Sequence, residues 1–284
     1  MKQNSLKSTD SVVAVQGYEG CFHQEAAQHF FGKDVQIICC DTFRDVVKMA
    51  SNKKETTGAV MAIENSIAGS ILPNYNLLLK SNLKVVGEVY MQIRQNLMTT
   101  VGASLSEIKE VHSHPMALQQ CLKFLDEHDW KLVETEDTAL SAKKLSRNKN
   151  PYIAVIASRL AAEIYELEIA APNIHTMKNN YTRFLILNRE EDVAEIENAD
   201  KASVYFQTDH SKGSLAKVLN KIDEFDINLS KLQSVSIPGS DWKYGFYTDM
   251  EFEDRTQFNS LLKKLKPITQ ELQVNGIYKK GKNV

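Results

Sequence analysis

The sequence lacks the patterns that mark several common classes of protein. No apolar run approaches the ~20 residues that a membrane helix needs, so no membrane span is predicted. There is no Walker loop, no G-x-G-x-x-G, no G-x-S-x-G elbow and no H-E-x-x-H. The usual sequence signals of nucleotide cofactors, serine hydrolases and zinc peptidases are therefore missing.

Cysteine and surplus positive charge are also scarce. The cysteines are Cys21, Cys39, Cys40 and Cys121, without C-x-x-C spacing, which predicts reduced thiols and a cytoplasmic location. A net charge of -2 with interspersed signs predicts no nucleic-acid partner. His112 and His114 lie close together, but no further ligand repeats at metal-binding spacing, so no metal site is expected.

The 284 residues are enough for two or three domains. In the first part of the chain, short apolar runs alternate with helical stripes, from Ser11–Val15 through Gly58–Ile63 to a last strand at Thr182–Leu187. Such alternation predicts an α/β architecture with largely parallel sheets.

Polar side chains that can cap helices mark further helix starts in this region. We expect one helix after Asp41 or Thr42, a single helix that begins near Ser113, and another after Asp137 or Thr138.

A shift in composition divides the chain. Residues Asn188–Asp200 contain six acids and one arginine, which indicates a domain boundary. After it, the apolar pattern predicts the order β-α-β-β-α-β, which is typical of a ferredoxin-like α+β domain.

Four polar segments directly follow apolar runs, where ligands bind in open α/β sheets. They are Gly17–Phe22 (GYEGCF), Ala62–Ser66 (AIENS), Ser113–Pro115 (SHP) and Asn179–Phe184 (NNYTRF). The glycines allow a close backbone approach to an anion, and an arginine suits a carboxylate. Taken singly, each segment is also compatible with a turn, a helix cap or a surface ion pair.

Together, in this order and spacing, the four segments resemble the G-P-E-G-T-F, P-I-E-N-S, S-H-P and N-x-T-R-F motifs of the prephenate dehydratase family. The acidic linker and the C-terminal pattern resemble the ACT regulatory domain of that family. The resemblance implies a catalytic region at residues 11–188 made of two lobes like those of type II periplasmic binding proteins. Lobe one would hold residues 11–86 and 182–188, lobe two residues 87–181, and the ACT domain residues 200–279.

The resemblance further implies a lyase of phenylalanine biosynthesis that converts prephenate to phenylpyruvate without a cofactor. Thr182 would lie nearest the departing hydroxyl and form a hydrogen bond to it. Glu64 is our hypothesis for the proton donor, and Arg183, with the backbone amides of residues 17–20, for the carboxylate clamp. The further substrate-binding candidates are Asn65, Ser66, Ser113, His114, Gln120, Gly20, Cys21 and Phe184.

For the ACT domain, the resemblance implies phenylalanine as an effector and a homodimer or homotetramer joined through these domains. The expected effector contacts are Gly213, Ser214, Leu215, Ala216, Gln233 and Ser234. The segment Gln233–Ser236 departs from the E-S-R-P of the family, because glutamate is replaced by glutamine and the arginine is absent.

Two other functions remain open at this point. Arogenate dehydratase performs the same chemistry on a substrate with an amino group in place of the keto oxygen. A non-catalytic two-lobed ligand sensor is the alternative outside enzymes, and the set Glu64, Asn65, Thr182 and Arg183 argues against it.

Overall fold

The computed structural model describes residues 11–237, 239–240 and 243–284. The first lobe is built on the strands β1 Val12–Gln16, β2 Gln36–Cys40, β3 Gly58–Asn65, β4 Gly69–Ser70, β5 Leu83–Gln92 and β11 Tyr181–Arg189. Its helices are α1 Phe22–Phe31, α2 Phe43–Ala50 and α3 Leu72–Leu79. The strand order is β2-β1-β3-β11-β5, with β4 paired to β3, and β11 runs antiparallel to both of its neighbours.

The second lobe has its own sheet, with the order β10-β6-β9-β7-β8. The strands are β6 Asn96–Thr99, β7 Glu110–Ser113, β8 Lys131–Glu134, β9 Ile153–Ala157 and β10 Glu168–Ala171. The helices are α4 Pro115–Gln120, α5 Leu122–Leu125, α6 Thr138–Asn148 and α7 Arg159–Ile164. The two-lobed α/β prediction is confirmed, but the expectation of largely parallel sheets is wrong, because β11 and β6 each run antiparallel to both of their neighbours.

The last part of the chain, called here the C-terminal unit, forms an antiparallel sheet of order β13-β14-β12-β15. The strands are β12 Lys201–Gln207, β13 Asn228–Ser236, β14 Tyr244–Glu251 and β15 Glu271–Tyr278, and the helices are α8 Ser214–Asp223 and α9 Arg255–Leu265. The predicted order β-α-β-β-α-β is confirmed.

The chain passes from lobe one to lobe two later than the expected point near Gly87. Strand β5 keeps pairing with β11 as far as Gln92, opposite Tyr181, and the second sheet begins at Asn96. Residues 93–95 therefore connect the lobes, because ladder hydrogen bonds hold the whole of β5 in the first sheet.

The polar side chains at two helix starts fulfil the capping predictions. Thr42 accepts a hydrogen bond from the backbone of Asp45 at the start of α2, and Asp137 accepts one from Leu140 at the start of α6. The single helix expected after Ser113 is instead two short helices, because the backbone leaves the helical conformation at Cys121.

The C-terminal unit packs on one face of the first sheet. Its buried aromatic residues Tyr205, Tyr247 and Tyr278 share an apolar cluster with Met61 and Leu185 of the first lobe. The hydroxyl of Tyr247 also donates a hydrogen bond to the carbonyl of Tyr75 at 2.6 Å. Strand β11 is thus covered on both faces.

The described helices include none with the length and apolar character of a membrane-spanning segment.

Candidate active site

A cleft of about 360 Å³ lies between the two lobes, on the face of the first sheet opposite the C-terminal unit. Six of the residues expected at the site line it: Cys21, Asn65, His114, Gln120, Thr182 and Phe184. The structure thus brings together residues from both lobes, and Cys21 and Phe184 lie more than 150 positions apart in sequence.

Strand β11 determines which residues of the T-R-F segment face the cleft. Thr182 and Phe184 line the cleft, whereas Arg183 points to the opposite face, as expected from the alternation of side chains along a strand. Thr182 pairs with Asn65 of β3, and a register shift after Arg183 then places Phe184 opposite Ala62. Asn65 and Thr182 therefore share the cleft face.

The side chain of Asn65 is held in one orientation against Thr182. Its Oδ1 accepts hydrogen bonds from the backbone N–H groups of Ile67 and Ala68, both at 2.9 Å. Its Nδ2 then donates to Thr182 Oγ1 at 2.9 Å. Since a hydroxyl has one proton and two lone pairs, the proton of Thr182 remains free for a ligand in the cleft.

Lobe two contributes two further polar groups. His114 is the N-cap of α4, and its Nδ1 accepts from the backbone of Met116 at 3.2 Å. Gln120 Oε1 accepts from Asn180 at 3.0 Å and from Gln95 at 3.3 Å. Among the described residues, the Nε2 atoms of His114 and Gln120 have no hydrogen-bond partner, so both are available to a ligand.

The expected role of Arg183 as a carboxylate clamp is corrected by its position. Its guanidinium is buried and donates to Glu88 at 2.7 Å, to Tyr278 at 3.0 Å and to Asp249. Burial disfavours the charged guanidinium, but Asp249, Tyr278 and Glu88 outweigh it and raise the pKa of Arg183. Arg183 therefore joins lobe one to the C-terminal unit and lies on the face of the sheet away from the cleft.

Glu64, which was proposed as the proton donor, also faces away from the cleft. It pairs with Arg183 in the register of β3 and β11, and its carboxylate forms an ion pair with Lys231 of β13 at 2.9 Å. It does not line the cleft. The register shift leaves Ile63 without an opposing residue on β11. Glu64 then faces the C-terminal unit.

The two serines proposed to bind substrate make contacts within the protein. Ser113 is fully buried, and its hydroxyl donates to the carbonyl of Ile156 at 2.7 Å. Ser66 donates to the carbonyl of Asn179 at 3.1 Å and accepts from the backbone of Tyr181 at 2.9 Å. Neither lines the cleft, and both hold neighbouring segments together.

Two of the four backbone amides proposed to clamp a carboxylate in the glycine turn are used within the protein. The backbone N–H of Gly17 donates to the carbonyl of Cys40, and that of Gly20 donates to the side chain of Gln24. Gly20 has a positive φ of 87°, and a Cβ there would lie 2.7 Å from the Cα of Ala161. Its glycine is required by the contact between the lobes rather than by substrate.

Three titratable groups in the cleft wall have shifted pKa values, each because of burial. Burial raises the pKa of the Cys21 thiol, which disfavours the nucleophilic thiolate. It lowers the pKa of His23 to about 4, so this ring is neutral at pH 7 and its Nε2 accepts from the backbone of Ala62 at 3.2 Å. It also raises the pKa of Asp137.

Three residues in or beside the cleft were not predicted as functional. Asn180 belongs to the N-x-T-R-F segment, which was the available signal for it. Asp137 was interpreted only as a helix cap. Gln95 lies in the connection between the lobes, and no motif in the sequence marks it. All three became visible only when the two lobes were placed together.

The residues expected to contact an effector lie in the C-terminal unit. Gly213, with φ 81°, is the N-cap of α8, and Ser214 begins that helix, followed by Leu215 and Ala216. Gln233 and Ser234 lie on β13, an edge strand of the sheet. Their role in binding stays a prediction.

The described residues hold no group of three or more His, Cys, Asp or Glu suited to a metal ion.

Comparisons with known proteins agree with this geometry. The prephenate dehydratase family model matches residues 13–192. A bifunctional chorismate mutase/prephenate dehydratase of Buchnera aphidicola is 34% identical over 84% of this chain. The match covers 62% of the length of that relative.

Two solved structures share the fold over nearly the whole chain. One is GqqA, a quorum quenching acylase, with 25% identity and a TM-score of 0.86 over 95% of this chain and 98% of that one. The other is the prephenate dehydratase of Arthrobacter aurescens in complex with L-Phe, with 26% identity and a TM-score of 0.83 over 94% and 90%. The match to the family model and the cleft built from the family's motifs lead to one conclusion: the chain belongs to the prephenate dehydratase family.

Proposed function

We propose that the chain converts prephenate to phenylpyruvate, carbon dioxide and water. The observation that carries this proposal is the pair Asn65–Thr182 in the cleft, with a hydroxyl proton free to donate. The C–C bond to the ring carboxylate breaks and releases CO2, and its electron pair enters the ring. The C–O bond at the opposite ring carbon breaks, and its oxygen leaves as water after taking up one proton.

Thr182 would assist the departure of the hydroxyl by hydrogen bonding. A positioned donor at a leaving oxygen contributes roughly 10²–10⁴-fold to the rate. A threonine hydroxyl is too weak an acid to transfer a full proton at neutral pH, so the proton comes from elsewhere. Asn65 donates to Thr182 and thereby directs its hydroxyl proton towards the substrate.

The apolar walls of the cleft suit the ring of the substrate. Apolar side chains, including Phe22, Phe43, Ile71, Ile93 and Phe184, would surround the ring and exclude water, which favours loss of CO2. No lysine or arginine is among the described residues that line the cleft. The substrate carboxylates would therefore be held by neutral N–H donors, for which Gln120 and His114 are the candidates.

Arogenate remains a second candidate substrate, because its reacting ring is the same and the cleft supplies the same groups. Measuring phenylpyruvate from prephenate and phenylalanine from arogenate with the purified protein decides between the two dehydratase substrates. Absence of both products would contradict the proposal and favour a binding protein.

We also propose that residues 11–188 form the catalytic region and residues 200–279 an ACT regulatory domain that binds phenylalanine. The exposed start of α8 at Gly213 and the edge strand β13 with Gln233 are the proposed contact regions. Edge strands present unpaired backbone groups, so pairing of β13 in a homodimer or homotetramer would cover them. The free cysteines of the described chain support a cytoplasmic location.

A further inference from the structure

A chain of four amide side chains runs from Asn65 along the cleft to the connection between the lobes. Asn65 anchors it, because its Oδ1 accepts from two backbone N–H groups, which can only donate. The Nδ2 of Asn65 must then face the next amide, and it donates to Asn180 Oδ1 at 2.8 Å. The orientation of the first amide thus fixes that of the second.

The fixed orientation continues to Gln120. Asn180 is fully buried, and since its Oδ1 accepts from Asn65, its Nδ2 faces Gln120 and donates to Oε1 at 3.0 Å. Gln95 donates to the same oxygen at 3.3 Å. If the Gln120 amide were rotated by 180°, its N–H groups would face the N–H groups of Asn180 and Gln95. The Nε2 of Gln120 is therefore directed away from Asn180.

Gln120 lines the cleft, whereas Asn180 does not. We propose that Asn180 is a positioning residue, which holds Gln120 so that its Nε2 donates to a carboxylate or keto oxygen of the substrate. This inference rests on the proposed function and adds to it the direction of a hydrogen bond. The direction matters because the carboxylates and the keto oxygen of prephenate only accept hydrogen bonds, and its hydroxyl is its one donor.

The variant Asn180→Asp reverses this direction with little change in shape. It places an oxygen opposite Gln120 Oε1, and the repulsion favours rotation of the Gln120 amide, which then presents an acceptor to the substrate. Loss of a hydrogen bond to a charged group, with a carboxylate left unpaired, raises KM for prephenate by roughly ten- to a hundredfold. Because the reacting atoms are untouched, kcat changes less than KM.

Steady-state kinetics on the full-length wild type, Asn180→Asp and Asn179→Asp tests the inference. Asn179 is exposed, so the control adds the same charge one residue away from the amide chain. The expected result is a raised KM for Asn180→Asp alone, with thermal melting showing that both variants fold. A KM of Asn180→Asp close to that of the wild type would overturn the inference.

Gln120→Glu provides the second test should Asn180→Asp not fold. It keeps the acceptor oxygen that Asn180 and Gln95 need and replaces the Nε2 donor with an oxygen, so a similar rise in KM is expected. An unchanged KM for this variant would also overturn the inference. A wild type without prephenate turnover would overturn the proposed function, whereas active wild type with unchanged variants would overturn this inference alone.

Discussion

Neighbouring side chains in the T-R-F segment act on opposite faces of one strand. Thr182 and Phe184 face the cleft, and Arg183 faces the C-terminal unit. The period of a strand explains this separation, although Arg183 was expected to clamp a carboxylate of the substrate beside Thr182. The partners of Arg183 were not predictable in this way, because Asp249 and Tyr278 lie far along the chain and no local pattern indicates that they cover β11.

At the same scale, His23 is predicted to make the protein sensitive to mild acid. Its pKa is about 4 in the fold against an ordinary 6.5, so unfolding takes up a proton between these values. The free energy of unfolding therefore falls as the pH drops from about 6.5 to about 4, by at most ~3 kcal/mol from this group. Denaturant titrations at pH 7 and pH 4 measure the loss.

The variant His23→Gln keeps a neutral acceptor for the backbone of Ala62, and its stability is expected to fall less with acid than that of the wild type. His29→Gln is the matched control, because His29 is exposed on the same helix. Equal acid sensitivity of wild type and His23→Gln would show that His23 is not the group responsible.

Among the elements, those with a strong apolar period and a recognisable cap were predicted correctly. The helix α2 begins after Thr42 and the helix α6 after Asp137, as their capping side chains indicate. The break at Cys121 and the extension of β5 to Gln92 were not predicted. Both depend on tertiary contacts, since the ladder with β11 decides where β5 ends.

The contact between β11 and the C-terminal strands yields a stability prediction. Arg183→Met leaves the buried carboxylates of Glu88 and Asp249 without this partner, which costs about 3–5 kcal/mol. Chemical denaturation measures this loss. Lys53→Met is the control, because its ion pair with Asp192 is exposed and removing it costs about 0–1 kcal/mol.

The variant Arg183→Lys separates this structural role from the clamp first expected. It retains a positive charge among the carboxylates but loses the forked geometry. We expect a lower free energy of unfolding and a KM for prephenate close to the wild-type value. A raised KM with unchanged stability would support the first interpretation of Arg183 as a carboxylate clamp.

At the scale of the whole molecule, the order of strands and helices predicted two kinds of domain, and the structure shows three sheets. Sequence could not show that the C-terminal unit packs directly behind the cleft strands. Lys231 of β13 contacts both Glu64 and Ser70, so the unit adjoins the paired strands β3 and β4, and Asn65 ends β3. This contact offers a physical route from the proposed effector-binding region to the cleft.

If phenylalanine binds the C-terminal unit and inhibits turnover, the coupling must be reciprocal. Ligands in the cleft are then expected to weaken phenylalanine binding by the same factor. Calorimetric titration of phenylalanine into the protein with and without saturating phenylpyruvate measures this factor. Phenylalanine that inhibits without any change in its affinity would point to competition or to a kinetic effect instead.

The most direct test of the proposed chemistry is phenylpyruvate formation from prephenate by wild type, Thr182→Ala and Thr182→Ser. We predict that the alanine variant loses roughly 10²–10⁴-fold in kcat, because it lacks the donor at the leaving oxygen. The serine variant keeps a hydroxyl for Asn65 to orient and is expected to retain much of the activity. Full activity of a folded Thr182→Ala variant would contradict the assignment of Thr182, and an inactive wild type would contradict the function itself.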